Sequence, residues 1–188
     1  MSQLVCKINK IDCIDYSQSF HDQKKWFVFY TRPRTEKKVH YELINSDYDV
    51  FLPTVKTLRL WKNRQKKWVE SALFPGYIFI NTVRSSLSSI TLNPNVVTYI
   101  RCGGEPSTVR DRDIQGIRHI LGLNQDISVE STFREGEIVR IIKGPLTGYE
   151  GIIEKQKSKT RFGIQLKEIN QTVFIDICTS MVERISVF

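Results

Sequence analysis

Fifteen residues near the carboxyl end constrain the fold more than any others. Val139-Arg-Ile-Ile-Lys-Gly144-Pro145-Leu146-Thr-Gly148-Tyr149-Glu-Gly151-Ile-Ile153 sets three glycines and a proline between two β-rich runs, with Arg140 and Lys143 among the apolar residues. This is the layout of a small barrel's first hairpin. Gly148 and Gly151 fall where backbone must turn or approach closely. Glu137–Ile142, Gly151–Lys155, Phe162–Leu166 and Val173–Ile177 read as short, evenly spaced strands, with a fifth near Met181–Ile185. Five short strands with glycine-rich turns predict an all-β, SH3-like barrel over 132–188. Gly144, Pro145, Gly148 and Gly151 would break any helix in its first half.

Upstream the pattern changes. Residues 1–23 are polar without a lasting period and read as an extension. Trp26–Tyr30 reads as a buried strand, and Thr35, Val39 and Leu43 then fall on one helical face. Val50–Leu52 resumes as strand, and 54–61 with 66–70 form the two arms of a ribbon around Asn63-Arg64-Gln65. A strand over Gly76–Ile80, a short helix over Ser85–Leu92 and a strand over Val96–Ile100 follow. A second long helix over Asp111–Leu121 carries an Ile114, Ile117, Ile120, Leu121 stripe. Strands interleaved with helices over 24–122 predict an α/β sandwich, so the whole chain is α+β. Gly122–Thr132 is polar and aperiodic, which predicts a linker over 123–131.

Alternation in Trp26–Tyr30 puts Trp26, Val28 and Tyr30 on one face and Phe27 and Phe29 on the other. In Gly76–Ile80 it separates Tyr77 and Phe79 from Ile78 and Ile80. Strands apolar on both sides belong to a sheet covered on both faces. The tyrosines also fit an interface, because each hydroxyl wants a polar partner.

The net charge is +8 at an isoelectric point near 9.4, which favours a polyanionic partner. The excess is local. Residues 24–71 carry +7, against −1 for 1–23, zero for 72–131 and +2 for 132–188. Its focus is Lys56-Thr-Leu-Arg59-Leu-Trp61-Lys62-Asn-Arg64-Gln-Lys66-Lys67-Trp68-Val69, with six cations, no acid and two interleaved tryptophans. Cations neutralise phosphates and an aromatic face stacks an unpaired base. Arg32 and Arg34, just after the first strand, are candidates for the same surface. The competing reading is a solvated hairpin whose lysines keep an edge strand soluble.

Enzyme chemistry finds no footing. No Gly-Lys dipeptide exists for a phosphate loop, and H-E-x-x-H, G-x-S-x-G and G-x-G-x-x-G are all missing. His21, His40 and His119 are scattered. Cys6, Cys13, Cys102 and Cys178 lack metal-ligand spacing and read as reduced thiols. Neither a metal nor an organic cofactor is expected. No apolar stretch is long enough to span a bilayer and the start lacks a secretory pattern, so no membrane association and a cytoplasmic location are expected.

The carboxyl-terminal segment closely matches the KOW motif of transcription-elongation and ribosomal proteins. Upstream, Trp26-Phe-Val-Phe-Tyr30 followed by Leu73-Phe74-Pro75-Gly76-Tyr77-Ile78-Phe79-Ile80 resembles the first domain of the NusG family, in particular its specialised RfaH-like antiterminator paralogs. The resemblance covers about residues 24–185. It implies an amino-terminal domain whose aromatic-lined depression grips a coiled coil on the RNA polymerase clamp, with Tyr30, Phe74, Pro75, Tyr77 and Phe79 lining or bracing it. It also implies that the basic ribbon lies against DNA at the transcription bubble, through Arg32, Arg34, Arg59, Trp61, Lys62, Arg64, Lys66, Lys67 and Trp68. The barrel would recruit a second partner such as the ribosome, through Leu146 and Tyr149. In general NusG proteins an aromatic stands where Leu146 does here, a departure that puts Rho engagement in doubt. The expected function is suppression of pausing and termination on specific long operons. A general elongation factor assisting Rho, and a ribosome- or RNA-binding KOW protein, are the alternatives.

Overall fold

A computed structural model of the chain describes residues 23–60, 65–123, 125–130, 136–156 and 159–185. The expected extension over 1–23 therefore lies, save its last residue, outside the described residues.

The amino-terminal part runs β1 (Lys25–Thr31), α1 (Glu36–Ile44), β2 (Asp49–Phe51), β3 (Thr54–Leu60), β4 (Lys66–Ala72) and β5 (Tyr77–Thr82). It continues with α2 (Leu87–Thr91), β6 (Val96–Tyr99), β7 (Arg101–Cys102), β8 (Glu105–Pro106), β9 (Thr108–Val109) and α3 (Asp111–Gly122). The main sheet has the order β2-β5-β1-β6, with β9 also on β1, and every pairing is antiparallel. Strands β3 and β4 pair only with each other, as a separate ribbon.

Alternation along β1 and β5 sorts the aromatics onto two faces. Phe27, Phe29, Ile78 and Ile80 pack with Val39 and Leu43 of α1 and Leu87 and Ile90 of α2. Trp26, Val28 and Phe79 pack with Ile114, Ile117 and Ile120 of α3. Each such burial contributes roughly 1.5–3 kcal/mol, so a sheet apolar on both sides is stable only when covered on both. Asp111 and Asp113 occupy the first turn of α3, where they complement the helix dipole. The Trp26 indole donates to Asp111 Oδ1 at 3.0 Å, tying the start of α3 to β1.

The carboxyl-terminal part is a six-stranded antiparallel sheet: β10 (Ile127–Glu130), β11 (Glu137–Ile141), β12 (Glu150–Gln156), β13 (Lys159–Leu166), β14 (Gln171–Ile177) and β15 (Val182–Arg184), in the order β10-β14-β13-β12-β11-β15. Five of the six, β11 to β15, are the strands expected. The β11–β12 connection closes with Gly148 N–H donating to the Ile141 carbonyl at 2.7 Å. A side chain at Gly151 would run into the Phe162 ring at 2.7 Å, so glycine is needed for β12 to lie on β13.

One expectation is corrected. The segment 123–131 does not run as a linker throughout, because Ile127–Glu130 is a strand paired residue for residue with β14. Ile127 and Val129 turn to the core and are too few to give a visible period among polar neighbours. A buried cation also holds this strand. Arg161 of β13 reaches Glu130 Oε1 at 2.9 Å and Glu154 Oε2 of β12 at 2.6 Å, with its guanidinium 4.5 Å from the Phe174 ring centroid.

Candidate functional site

The turn between β4 and β5 carries Leu73-Phe74-Pro75-Gly76, and its geometry is fixed from both sides. Gly76 N–H donates to Glu36 Oε1 at 2.8 Å, placing the first-turn carboxylate of α1 under the turn. The Gly76 carbonyl accepts from Thr31 N–H at 2.8 Å and from the Thr31 hydroxyl at 3.3 Å. Gly76 has φ +83°, and a Cβ there would lie 2.8 Å from the Tyr30 ring. Only glycine lets the turn fold beneath Tyr30.

This clamp sets two tyrosines side by side. Tyr30 and Tyr77 are directly opposed across β1 and β5, with ring centroids 5.5 Å apart and planes at 58°. Both are half-buried, and Pro75 beside them is exposed. Phe74 and Phe79 are fully buried, edge to face at 5.8 Å. They support the site from below and present no surface, so of the five residues expected there only Tyr30, Pro75 and Tyr77 reach solvent. Sequence reasoning missed Phe51, whose ring lies 6.1 Å from Phe79 and 6.4 Å from Trp26. It also missed Arg118 of α3, whose guanidinium stands 4.9 Å from the Phe51 centroid. Their apposition depends on α3 crossing the sheet, which no local spacing announces. Glu36 was also missed, although an acid in a helix's first turn just before an aromatic turn motif is a usable signal.

The ribbon presents Lys56, Lys66, Lys67 and Trp68 to solvent. Trp68 is 71% exposed, against 4% for Trp26. Trp61, Lys62 and Arg64 lie outside the described residues, and of Arg59 only the backbone is described. Arg32 and Arg34 are exposed in the turn that leads into α1. The same helix reaches the ribbon's base, where Lys37 Nζ meets Glu70 Oε2 at 2.9 Å. Glu70 also accepts from the Thr54 hydroxyl at 2.7 Å. Together Thr54 and Lys37 hold the Glu70 carboxyl below the usual carboxylate range. The ribbon's acid is thus already partnered, leaving a cationic surface.

The barrel's candidate residues turn inward. Leu146 is buried in the core, a correction to its expected place at a partner surface. The tight Gly144-Pro145 turn folds it back beneath the hairpin, where it borders a hollow of about 560 Å³ with Ile141, Lys143, Ile175 and Met181. Tyr149 is half-buried against α3, its hydroxyl 2.7 Å from His119 Nδ1. Around this contact Arg112 of α3 and Arg140 of β11 each reach Glu150 at 2.7 Å. Hydrogen bonds from Arg140 and Arg112 hold the Glu150 carboxyl low. Gly116 makes the approach possible: a Cβ there would sit 2.6 Å from Ile164 Cδ1 and 3.2 Å from the Tyr149 ring. Among the described residues no cluster of His, Cys, Asp and Glu could hold a metal, and no helix is long and apolar enough to cross a membrane.

A helix-covered antiparallel sheet with a clamped aromatic turn and a basic ribbon is thus followed by a glycine-notched all-β region. The family model described as transcription termination factor nusG matches residues 24–118, half of the chain, and the chain belongs to the NusG family. The transcription termination/antitermination protein NusG of Streptococcus pyogenes serotype M1 is 28% identical over 159 residues, covering 76% of this chain and 87% of that one. The Helicobacter pylori J99 protein of the same name is 24% identical over 172 residues, covering 85% and 98%. A solved structure described as "Domain interaction in Thermotoga maritima NusG" is 24% identical, covers 87% of this chain and 98% of that one, and superposes with a TM-score of 0.48.

Proposed function

We propose that this protein is a transcription elongation and antitermination factor that binds the RNA polymerase clamp through the Tyr30–Tyr77 surface. The observation that carries the reading is the clamped turn. Two half-buried tyrosines and an exposed proline are held rigid by Glu36 and Thr31 over a floor of Phe74 and Phe79. A preorganised, amphipathic aromatic surface suits an apolar helix laid in a shallow hollow. Relatives that bear the name termination/antitermination protein over nearly their whole length support the process.

The basic ribbon would meet DNA at the transcription bubble, its cations releasing counterions from phosphates. By bridging the clamp and the DNA, the factor favours the elongating enzyme over the paused one, to the extent that it binds that state more tightly. The charge concentrated on the ribbon suits an RfaH-like specialist serving particular long operons. The barrel would receive a second partner such as the ribosome once Tyr149 is released from His119. The protein acts by binding and not as an enzyme.

A single-round transcription assay on a pause-containing template tests the function. Wild type should shorten pause lifetimes, and Tyr30→Ala with Tyr77→Ala should remove the effect while the melting profile keeps its cooperative transition. Pausing unaffected by wild type at saturating concentration would refute the reading.

A further inference from the structure

We infer that the surface at Tyr30 and Tyr77 stays open while the barrel is docked on α3, so that polymerase binds the docked form and docking controls access to the barrel alone. The inference rests on the reading of that surface as the polymerase site and deepens it by saying in which form of the protein the site works.

Helix α3 has two occupied sides. Arg112, Gly116 and His119 are spaced by four and three residues and form one stripe. All three face the barrel. Arg112 reaches Glu150, Gly116 is approached by Ile164 and Tyr149, and His119 meets the Tyr149 hydroxyl. Arg118 follows Gly116 by two residues, about 200° further round the helix. Its guanidinium stands 5.5 Å from the Trp26 ring centroid and 4.9 Å from that of Phe51, so the sheet holds the opposite side. The helix is a spacer about 10 Å across between sheet and barrel.

The path of α3 also leaves the tyrosines clear. It starts at Asp111, bonded to Trp26, and passes Phe51 of β2 through Arg118. Near its end Leu121 borders one groove with Val55 of the ribbon. That path leaves the sheet across β2, its edge strand. Trp26 is four residues from Tyr30 along β1, a distance of about 13 Å. Tyr77, Tyr30 and Thr98 are instead successive partners across β5, β1 and β6, in a row that runs to the other edge. With the barrel docked, Tyr30 and Tyr77 are half-buried, and Pro75 and Thr98 are exposed. Docking covers Tyr149 and the tip of the Ile164 side chain. A ligand that binds two states equally cannot shift the balance between them, however tightly it binds. Polymerase therefore captures the factor without freeing the barrel, and release waits on the barrel's own partner.

The test is the affinity of the full chain for core RNA polymerase, by surface plasmon resonance, in wild-type, locked and released forms. The locked form carries Arg112→Cys and Glu150→Cys joined by a bismaleimide cross-link, with Cys6, Cys13, Cys102 and Cys178 changed to Ser. The same chain before cross-linking is its control, and nuclear Overhauser effects between His119 and Tyr149 report docking. The released form is Gly116→Leu, with its melting profile as a check on folding. All should bind within about twofold of one another. Were docking to cover the site, with the docked form at about 99%, release would tighten binding about a hundredfold. Binding about tenfold weaker in the locked form than in its control, or about tenfold tighter in Gly116→Leu, would overturn the inference and leave the tyrosine surface as the polymerase site. Loss of binding in a folded Gly116→Leu would also overturn it, by making the docked barrel part of the polymerase contact. Wild type that does not bind would instead overturn the reading of the surface itself.

Discussion

Replacing Gly116 tests how the barrel is held against α3, because two opposing effects meet at that one position. In an exposed helix a side chain at Gly116 would stabilise, by about 0.8–1 kcal/mol. Here the added Cβ lies 2.6 Å from Ile164 Cδ1 and 3.2 Å from two atoms of the Tyr149 ring. Ile164 Cδ1 is the flexible end of its side chain, so alanine needs only a small shift and should leave the full chain within about 1 kcal/mol of wild type. Leucine adds three more carbons into space already filled by Tyr149 and Ile164. Overpacking of this kind costs about 1–3 kcal/mol, which exceeds the helical gain. The overpacking is relieved where the barrel moves off α3, which breaks the His119–Tyr149 contact and the Arg112–Glu150 bridge together. Nuclear Overhauser effects between His119 and Tyr149 should persist in Gly116→Ala and vanish in Gly116→Leu. The radius of gyration from solution scattering should rise in the leucine variant, with secondary structure by circular dichroism unchanged. A leucine variant that keeps those effects and the wild-type radius would refute the packing argument.

Three further outcomes concern the other polar contacts described above. Arg161→Ala removes the cation that Glu130 and Glu154 share and should cost about 3 kcal/mol in urea unfolding monitored at the barrel; a loss under 1 kcal/mol would show that the triad contributes little. Glu36→Ala leaves the Gly76 amide without its acceptor and should cost about 1–3 kcal/mol while loosening the turn. Its polymerase affinity should fall although Glu36 itself touches no partner. The Glu150 carboxyl is depressed, so its bridging is fully present above the usual carboxylate range and is lost as pH falls through its lowered value. Docking read from the His119–Tyr149 effects should therefore weaken on acidification, and Glu150→Gln should weaken it already at neutral pH.

What the sequence reveals and what it hides divide by range. The Ile114, Ile117, Ile120 stripe and the alternation in β1, β5 and the barrel strands are local patterns, and each produced the expected element. The strand expected over Gly76–Ile80 formed as Tyr77–Thr82, with Gly76 taken into the turn before it. Strand β10 was hidden, since two apolar residues among polar ones form a strand only because β14 offers an edge. The buried state of Leu146 was hidden for a related reason. An aromatic or aliphatic residue in a motif reads the same whether it faces a partner or the core, and only tertiary packing decides. The purpose of Gly116 appears only with Tyr149 and Ile164 laid against it.

The ribbon's electrostatic part has its own signature. Changing Lys66 and Lys67 together to Gln should lower the salt slope of nucleic-acid binding by about 1.5, since each phosphate contact contributes roughly 0.7–0.9. An unaltered slope would remove both lysines from the interface.

The central claim is that Tyr30 and Tyr77 form the surface that meets polymerase. The direct measurement is the affinity of the full chain for core RNA polymerase by surface plasmon resonance, wild type beside Tyr77→Ala and Tyr77→Phe. The account predicts tight binding by wild type, loss of at least tenfold in the alanine variant and near recovery with phenylalanine. Wild type that fails to bind, or an alanine variant that binds as wild type does, would contradict it.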